Sequence, residues 1–377
     1  MEMQIIEQYL DELLEKTTVE IPAWNIEKAR AGKKSSWDYI DGCMIMAILE
    51  YYNCTGNEKY LKFADTYEDY RVHEDGTIDG FELEKQNLDD VNGGKNFFEL
   101  YRLTGKEKYR KALDTVYQLV KNQPRTKEGN FWHKKIYPNQ VWLDGLYMAQ
   151  PFYMEYETKF HEKENYKDIF QQFFNVAELL KDKETGLYYH AYDSSREMFW
   201  CNKETGLSKH FWLRALGWYS MALLDTLYKC DKTGYEKEYE KLKGIFIDLM
   251  ETMVRFQDKS GMWYQVVDLG GREKNYLETS GSSIMAYCML KGSRLGIVPE
   301  KYREYGKKAF QGICKTYLVT DTGKMSLGGI CLVAGLGGPS MRDGSYDYYM
   351  SEPIVQDDAK GVGPFLLAYS ELHRIEK

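Results

Sequence analysis

From Glu107 to Lys121, polar residues alternate with Tyr109, Leu113 and Val116 on a helical period, which predicts an amphipathic helix. The segment from Phe211 to Leu224 reads differently. Phe-Trp-Leu-Arg-Ala-Leu-Gly-Trp-Tyr-Ser-Met-Ala-Leu-Leu carries one charge and has no polar face. A helix of that kind is buried on both sides. The same reading predicts twelve helices, over 2–16, 36–54, 57–71, 91–103, 107–122, 142–157, 163–181, 211–229, 235–257, 278–294, 300–317 and 354–375. Alternation of two-faced and fully buried helices implies an outer and an inner ring.

Two short patterns punctuate these segments. Thr55-Gly-Asn-Glu-Lys-Tyr60 recurs as Thr104-Gly-Lys-Glu-Lys-Tyr109 and, loosely, as Thr233-Gly-Tyr-Glu-Lys-Glu-Tyr239. Thr-Gly followed by Glu and Lys suits the end of one helix and the start of the next. The second pattern reads Glu128-Gly-Asn-Phe-Trp-His133, Thr185-Gly-Leu-Tyr-Tyr-His190 and Ser260-Gly-Met-Trp-Tyr-Gln265. Asp75-Gly-Thr-Ile-Asp79 and Thr322-Gly-Lys-Met-Ser326 are weaker copies. A period of roughly 50 to 60 residues fits a helical hairpin with its loops. Six hairpins form either an open solenoid or a closed toroid. Closure is the sharper expectation, with residues 1–377 as one all-α domain. In a ring, the aromatic loops gather at one end and line a funnel. The alternative is that they are helix caps with nearby core aromatics; the polar His and Gln that follow favour the funnel.

Composition removes several classes. Of 377 residues, 43% are hydrophobic and 29% charged, which excludes a disordered chain. The net charge of −8 lacks the basic footprint of a nucleic-acid binder. The longest uncharged stretch, Met325 to Met341, holds five glycines and a proline, so it reads as a loop and not a membrane span. The N-terminus shows no basic region followed by an apolar run. Cysteines 43, 54, 201, 230, 288, 314 and 331 are scattered and never CxxC. That pattern points to a reducing compartment, hence the cytoplasm, and to no zinc site. With only 8 prolines against 32 tyrosines, the chain is poor in turn punctuation and rich in rings that carry a polar tip.

Candidate chemistry starts at Asp144. It is the only charge between Lys135 and Glu155 and sits in Val141-Trp-Leu-Asp-Gly-Leu-Tyr-Met148. Burying a lone carboxylate raises its pKa, as a general acid near neutral pH requires. An N-cap for the following helix explains Asp-Gly equally well. Leu88-Asp89-Asp90 offers a second carboxylate at a helix start, where one acid can cap while the other points elsewhere. Arg214 is the only charge between Lys209 and Asp225. It shares a helix face with Trp218, is flanked by Trp212, and is expected to meet a carboxylate, from the protein or from an acidic sugar. His133 and His190 hold matched repeat positions. Arg342-Asp-Gly-Ser-Tyr-Asp-Tyr-Tyr349 reads as a loop over the pocket mouth or as a surface turn. No HExxH, cysteine pair or phosphate-loop spacing is present, so no metal or organic cofactor is expected.

These residues carry a resemblance. Trp37-Asp-Tyr39, Leu88-Asp-Asp-Val-Asn-Gly-Gly-Lys95, Phe131-Trp-His through Trp-Leu-Asp-Gly-Leu-Tyr-Met148, Phe211-Trp-Leu-Arg-Ala-Leu-Gly-Trp218, Glu278-Thr-Ser-Gly-Ser-Ser283, and Arg342-Asp-Gly-Ser-Tyr346 onward to Gly363 span nearly the whole chain. In that order they resemble the unsaturated rhamnogalacturonyl hydrolases of glycoside hydrolase family 105. The resemblance implies an (α/α)6 barrel. It also implies action on small oligosaccharides that a lyase has left with a 4,5-unsaturated uronic acid at the non-reducing end. It assigns the acid/base role to Asp144, a second catalytic role to Asp89, and substrate contacts to His133, His190, Trp212, Arg214 and Trp218. Trp37, Tyr39, Lys134, Tyr137 and Arg342 lie in the matched segments and complete the expected substrate-binding set. The implied chemistry is hydration of the C4=C5 enol ether, with no cofactor. Competing readings are a glucuronyl hydrolase on glycosaminoglycan- or ulvan-type products, an epimerase using the two histidines, and a non-catalytic toroid that binds acidic saccharides. A homo-oligomer is left open.

Overall fold

The computed structural model describes residues 2–321 and 324–376; Thr322 and Gly323 of the weak Thr322–Ser326 repeat lie outside the described residues. In chain order the helices are α1 (Glu2–Glu15), a short α2 (Ile26–Arg30), α3 (Tyr39–Thr55), α4 (Glu58–Asp69), a short α5 (Asp89–Asn92), α6 (Lys95–Thr104) and α7 (Glu107–Asn122). There follow α8 (Leu143–Phe160), α9 (Tyr166–Leu179), α10 (Leu213–Lys229), α11 (Glu236–Arg255), α12 (Thr279–Arg294), α13 (Tyr302–Tyr317), a short α14 (Tyr346–Ser351) and α15 (Ala359–Glu376). Three two-stranded antiparallel pairs join them: β1 (Gln140–Trp142) with β2 (Ala191–Asp193), β3 (Leu318–Asp321) with β4 (Lys324–Leu327), and β5 (Ile330–Cys331) with β6 (Ile354–Val355).

The helices form an (α/α)6 barrel. The inner ring runs α3, α5–α6, α8, α10, α12, α15, and α15 packs back on α3 to close it. Outer helices α4, α7, α9, α11 and α13 each pack on the inner helix of their hairpin. The division follows sequence. Helix α10 is buried continuously from Leu213 to Leu227, whereas α7 buries one stripe that includes Tyr109, Leu113, Val116 and Val120. Two of the three Thr-Gly repeats end inner helices as expected, with Gly56 and Gly105 capping α3 and α6 at φ of 68° and 67°, whereas Gly234 lies beyond α10, which ends at Lys229 with Cys230 as its C-cap. The repeat tyrosines then tie neighbouring outer helices together. Tyr60 donates to Asp11 on α1 at 3.2 Å, and Tyr109 to Asp65 on α4 at 2.7 Å.

Between an outer and the next inner helix lies the aromatic loop. Its tip glycines are left-handed, as at Gly129 with φ of 97° and Gly261 with φ of 94°. At Gly261 an added Cβ would lie 2.3 Å from the Lys308 carbonyl oxygen, so the tip is also packed against α13. The end of each loop then meets the start of an inner helix belonging to the preceding hairpin. Leu88 donates its N–H to the His133 carbonyl (3.1 Å), Leu143 to His190 (3.1 Å), Leu213 to Gln265 (3.0 Å) and Thr279 to Gly329 (2.8 Å). Ala359 donates to Trp24 (2.9 Å), which carries the pattern across the ring closure. The first N–H groups of a helix have no intrahelical acceptor, and the neighbouring loop supplies one.

Four expectations change. The segment expected as one helix over 91–103 divides into α5 and α6 at Gly93–Gly94, where the backbone stays right-handed but the hydrogen bonds tighten to three residues, as from Gly94 to Val91 and from Asn96 to Gly93, and the Trp37 indole lies against Gly93. A Cβ there would sit 2.7 Å from the ring. Helix α3 starts at Tyr39, three residues late, with Asp38 accepting from the Ile40 and Asp41 N–H groups. The last helix starts at Ala359, after β6 and a left-handed Asp357 with φ of 59°. The Met325–Met341 stretch contains most of β4 and all of β5, so it is not all loop. No helix among the described residues is long and apolar enough to cross a membrane.

Candidate active site

The β1–β2 pair builds the centre of the site. Trp142 pairs with Ala191, so Asp144, two residues beyond Trp142, lies beside His190, one residue before Ala191. Asp144 Oδ2 faces His190 Nε2 at 3.3 Å, out of line for a regular hydrogen bond, and neither atom has another partner. Asp144 does not cap its helix. Trp142 is the N-cap residue, no side chain caps α8, and the Leu143 N–H is taken by His190. Gly145 has a different reason to be glycine: a Cβ there would lie 3.0 Å from His133 Nδ1.

The expected rise in the Asp144 pKa does not occur. Burial pushes the carboxyl up, but His190 and, more weakly, His133 outweigh it and hold the carboxyl below its ordinary value. Asp144 is alone in sequence and is bracketed by two imidazoles in space.

Asp89 lies on the other side of His133. Its Oδ1 is 3.7 Å from His133 Nε2, and its Oδ2 is 2.5 Å from Lys134 Nζ. Asn87 settles which acid faces the site. Its Oδ1 accepts from the Asp89 N–H and its amide donates to Asp90 Oδ1, so Asp90 is turned into the structure. Burial and the neighbouring Asp89 raise Asp90 to about 7. Burial also lowers His133 to about 4, against the pull of Asp89, so this ring is neutral at ordinary pH.

Rings surround this cluster. Tyr137 stacks on Trp142 at 5.2 Å and Trp142 on His133 at 4.7 Å. Trp142 meets His190 edge-on at 5.4 Å, and Trp212 lies 4.8 Å from His190 on the far side. Arg214 is 1% exposed with its guanidinium 4.8 Å from the Trp212 ring. No carboxylate forms a direct ion pair with it among the described residues; Glu278 and Asp358 act on it from further away. Instead, it donates to Ser280 Oγ (3.2 Å) and to the Cys331 and Leu332 carbonyls. Neutral acceptors leave its charge uncancelled by any ion pair.

The remaining expected residues lie further out. Tyr39 opens α3 within the electrostatic reach of both Asp89 and Arg214. Arg342 donates to the Gly337 carbonyl and, at 3.5 Å, to Tyr137 Oη, which ties the glycine-rich loop to the aromatic wall. Trp37 donates to the Asp90 carbonyl and stacks on Phe97, a wedge under α5. Trp218 lies one helical turn deeper than Arg214 and stacks on Tyr147 at 4.8 Å, in the barrel floor. No group of histidine, cysteine and acidic residues suited to a metal ion occurs among the described residues.

Comparison with known proteins decides the family. Residues 10–376 match the family Glycosyl Hydrolase Family 88. The chain belongs to this family of glycosidases. A solved glycoside hydrolase from family 105 of Clostridium acetobutylicum (C. acetobutylicum ATCC 824) is 43% identical, with 99% of each chain covered and a TM-score of 0.90. That likeness places this family 88 chain in the family 105 branch. Protein Atu3128 of Agrobacterium fabrum is 39% identical over 232 residues, covering 59% of this chain and 97% of that protein. The unsaturated rhamnogalacturonyl hydrolase YesR of Bacillus subtilis is 27% identical over 297 residues, 77% of this chain and 78% of that protein.

Three residues of this family 105 glycosidase escaped the sequence-based site list. Trp142, two residues before Asp144, touches both histidines. Gln265 holds the repeat position of His133 and His190, and its amide is fully buried without a regular hydrogen bond. The matched position was the signal for it. Tyr349 Oη is hydrogen-bonded to His190 Nδ1 from 159 residues away, and only its place at the end of the Arg342–Tyr349 segment hinted at it.

Proposed function

We propose that this glycosidase removes a 4,5-unsaturated uronic acid from the non-reducing end of lyase-generated oligosaccharides, with an unsaturated galacturonyl-rhamnose unit as its preferred end group. The observation that carries this reading is the lone Asp144 carboxyl, set against His190 with an unsatisfied oxygen, inside a cup of Trp142, Trp212 and Tyr137. Rings of this kind stack on a flat unsaturated sugar, and Arg214 and Lys134 supply cations for its carboxylate. The similarity to YesR supports rhamnose as the next sugar.

The chemistry is hydration. Asp144 takes up a proton before reaction and gives it to C4 of the enol ether. Positive charge develops at C5 and the ring oxygen. The Asp144 carboxylate then accepts a proton from water as its oxygen adds to C5. The resulting hemiketal opens, the bond at C1 is lost, and a keto-sugar acid and the shortened saccharide leave. Asp89, held by Lys134 on the far side of His133, positions the sugar and tunes His133. This differs from a glycosidase that stabilises charge at C1 between two carboxylates.

Heavy-oxygen water distinguishes the two. In a single turnover, quenched before the free ketone exchanges, the label is expected at C5. Label at C1 would restore ordinary glycoside hydrolysis. A panel of unsaturated disaccharides, followed by loss of alkene absorbance, tests the rhamnose preference against glucuronyl substrates.

A further inference from the structure

We infer that Tyr349 is a positioning residue, whose phenol fixes the proton of His190 on Nε2 and thereby sets the pH at which Asp144 becomes an acid. The catalytic half of this inference rests on the proposed role of Asp144; the tautomer half does not.

Tyr349 lies on α14, fully buried, with its Oη 2.8 Å from His190 Nδ1. Which atom donates follows from partner counting. A phenol has one proton, and among the described residues His190 Nδ1 is the only hydrogen-bond partner for the Tyr349 hydroxyl. If Nδ1 carried the hydrogen instead, the phenolic proton would be buried without an acceptor, at a cost of about 1–3 kcal/mol. The phenol therefore donates, and Nδ1 accepts. Burial raises the phenol well above its ordinary pKa, so it keeps that proton. A neutral imidazole that accepts at Nδ1 carries its hydrogen at Nε2. That atom faces Asp144 Oδ2.

The consequence concerns Asp144. An N–H aimed at a carboxyl favours its charged form. Other titratable groups face the pair: His133 and Asp89 on one side, with Lys134 behind them. Tyr348, Cys331, Asp343 and, edge-on, His210 face the phenol. None of them hydrogen-bonds to the His190 ring. Removing the phenol frees the imidazole to carry its hydrogen on Nδ1. Nε2 then becomes an acceptor for the protonated carboxyl, which favours the acid form.

Two measurements test this. In the substrate-free wild-type enzyme labelled with 15N-histidine, two-bond nitrogen–proton correlations are expected to show His190 protonated at Nε2 alone. In Tyr349→Phe the Nδ1–H form should appear. The pH dependence of kcat should also move. Activity that needs protonated Asp144 is lost as pH rises through its pKa, and in Tyr349→Phe this limb should shift upward by about half a unit to one unit. A merely structural tyrosine would lower kcat equally at every pH. A wild-type Nδ1–H tautomer, or a tautomer unchanged by the substitution, overturns the assignment whatever the reaction proves to be. The wild-type spectrum needs no variant, so a poorly folded Tyr349→Phe does not block the test. A changed tautomer with an unmoved limb overturns the link to Asp144. Failure of the hydration reading shows separately, in the position of the oxygen label.

Discussion

Lys95 occupies the barrel interior for a reason that can be measured. Helix α8 contains Pro151, which has no N–H to give to the carbonyl four residues earlier. That carbonyl belongs to Tyr147, and Lys95 Nζ donates to it at 2.7 Å while lying 3.4 Å from the Tyr147 ring centroid. The ammonium borders a cavity of about 70 Å³ whose four acids are already paired with other cations: Asp225 with Lys291 at 2.7 Å, Glu50 with Arg374, Glu99 with Arg102, and Glu155 with Lys159 and Lys229. Burial therefore lowers Lys95 from 10.5 to about 7. The unfolded chain binds this proton more tightly than the fold does, so stability is lowest at neutral and acid pH. It recovers as pH rises from 7 toward 10.5. Linkage over that window costs the fold about 4 kcal/mol at pH 7 and about 2 kcal/mol at pH 9. Lys95→Met removes this penalty and leaves the Tyr147 carbonyl unpaired, a pH-independent loss of about 1–3 kcal/mol. The variant is expected to match or exceed wild-type stability at pH 7. Its advantage over wild type should shrink by about 2 kcal/mol by pH 9. Urea denaturation of both proteins at pH 7, 8 and 9 gives the gap directly. A gap that does not change with pH would refute the argument, because it would mean that water in the cavity solvates the ammonium.

Asp144→Asn is expected to lower the rate of alkene loss by at least about 10²-fold, the smaller end of what general acid catalysis supplies, without loss of the folded state by circular dichroism. Substantial residual activity would move the acid to another residue. Gly129→Ala and Gly261→Ala impose the same left-handed strain, but only Gly261 has backbone against it. Urea denaturation should show a loss of about 1 kcal/mol for Gly129→Ala and about 3 kcal/mol or more for Gly261→Ala. Equal losses would rule out the close packing of the Gly261 loop on α13.

What was legible in the sequence is what local periodicity controls. The apolar run from Phe211 and the stripe of α7 follow from one helix each, so the two rings could be read without a structure. The need for glycine at position 93 could not, because the Trp37 indole that packs against it arrives from 56 residues away. The site divides the same way. Asp144, His133 and His190 stand out locally, as a solitary acid and as matched repeat positions. The ionisation of Asp144 does not, because it depends on a ring delivered by β-pairing from the next hairpin. Arg214 shows the limit of reasoning from charge alone. Besides Ser280 Oγ, its partners are backbone carbonyls at Cys331 and Leu332, and carbonyls leave no trace in sequence.

The loop carbonyls also explain why architecture and chemistry coincide in the repeat. At His133 and His190 the main chain closes the ring by accepting the first N–H of the neighbouring inner helix, while the side chain points to Asp89 or Asp144. The two jobs use different atoms of one residue. Any residue can offer the carbonyl, as Gly329 does for α12 and Trp24 for α15. The side chain at that position is therefore free to vary without opening the barrel, and it is held to a fixed place because its own backbone is anchored. A histidine in such a position is not a core residue that happens to find a hydrogen bond. Its backbone duty is already met, so its ring can serve other side chains: His190 meets Tyr349 and Asp144, His133 faces Asp89, and Gln265 holds the same place with its amide beside Cys331.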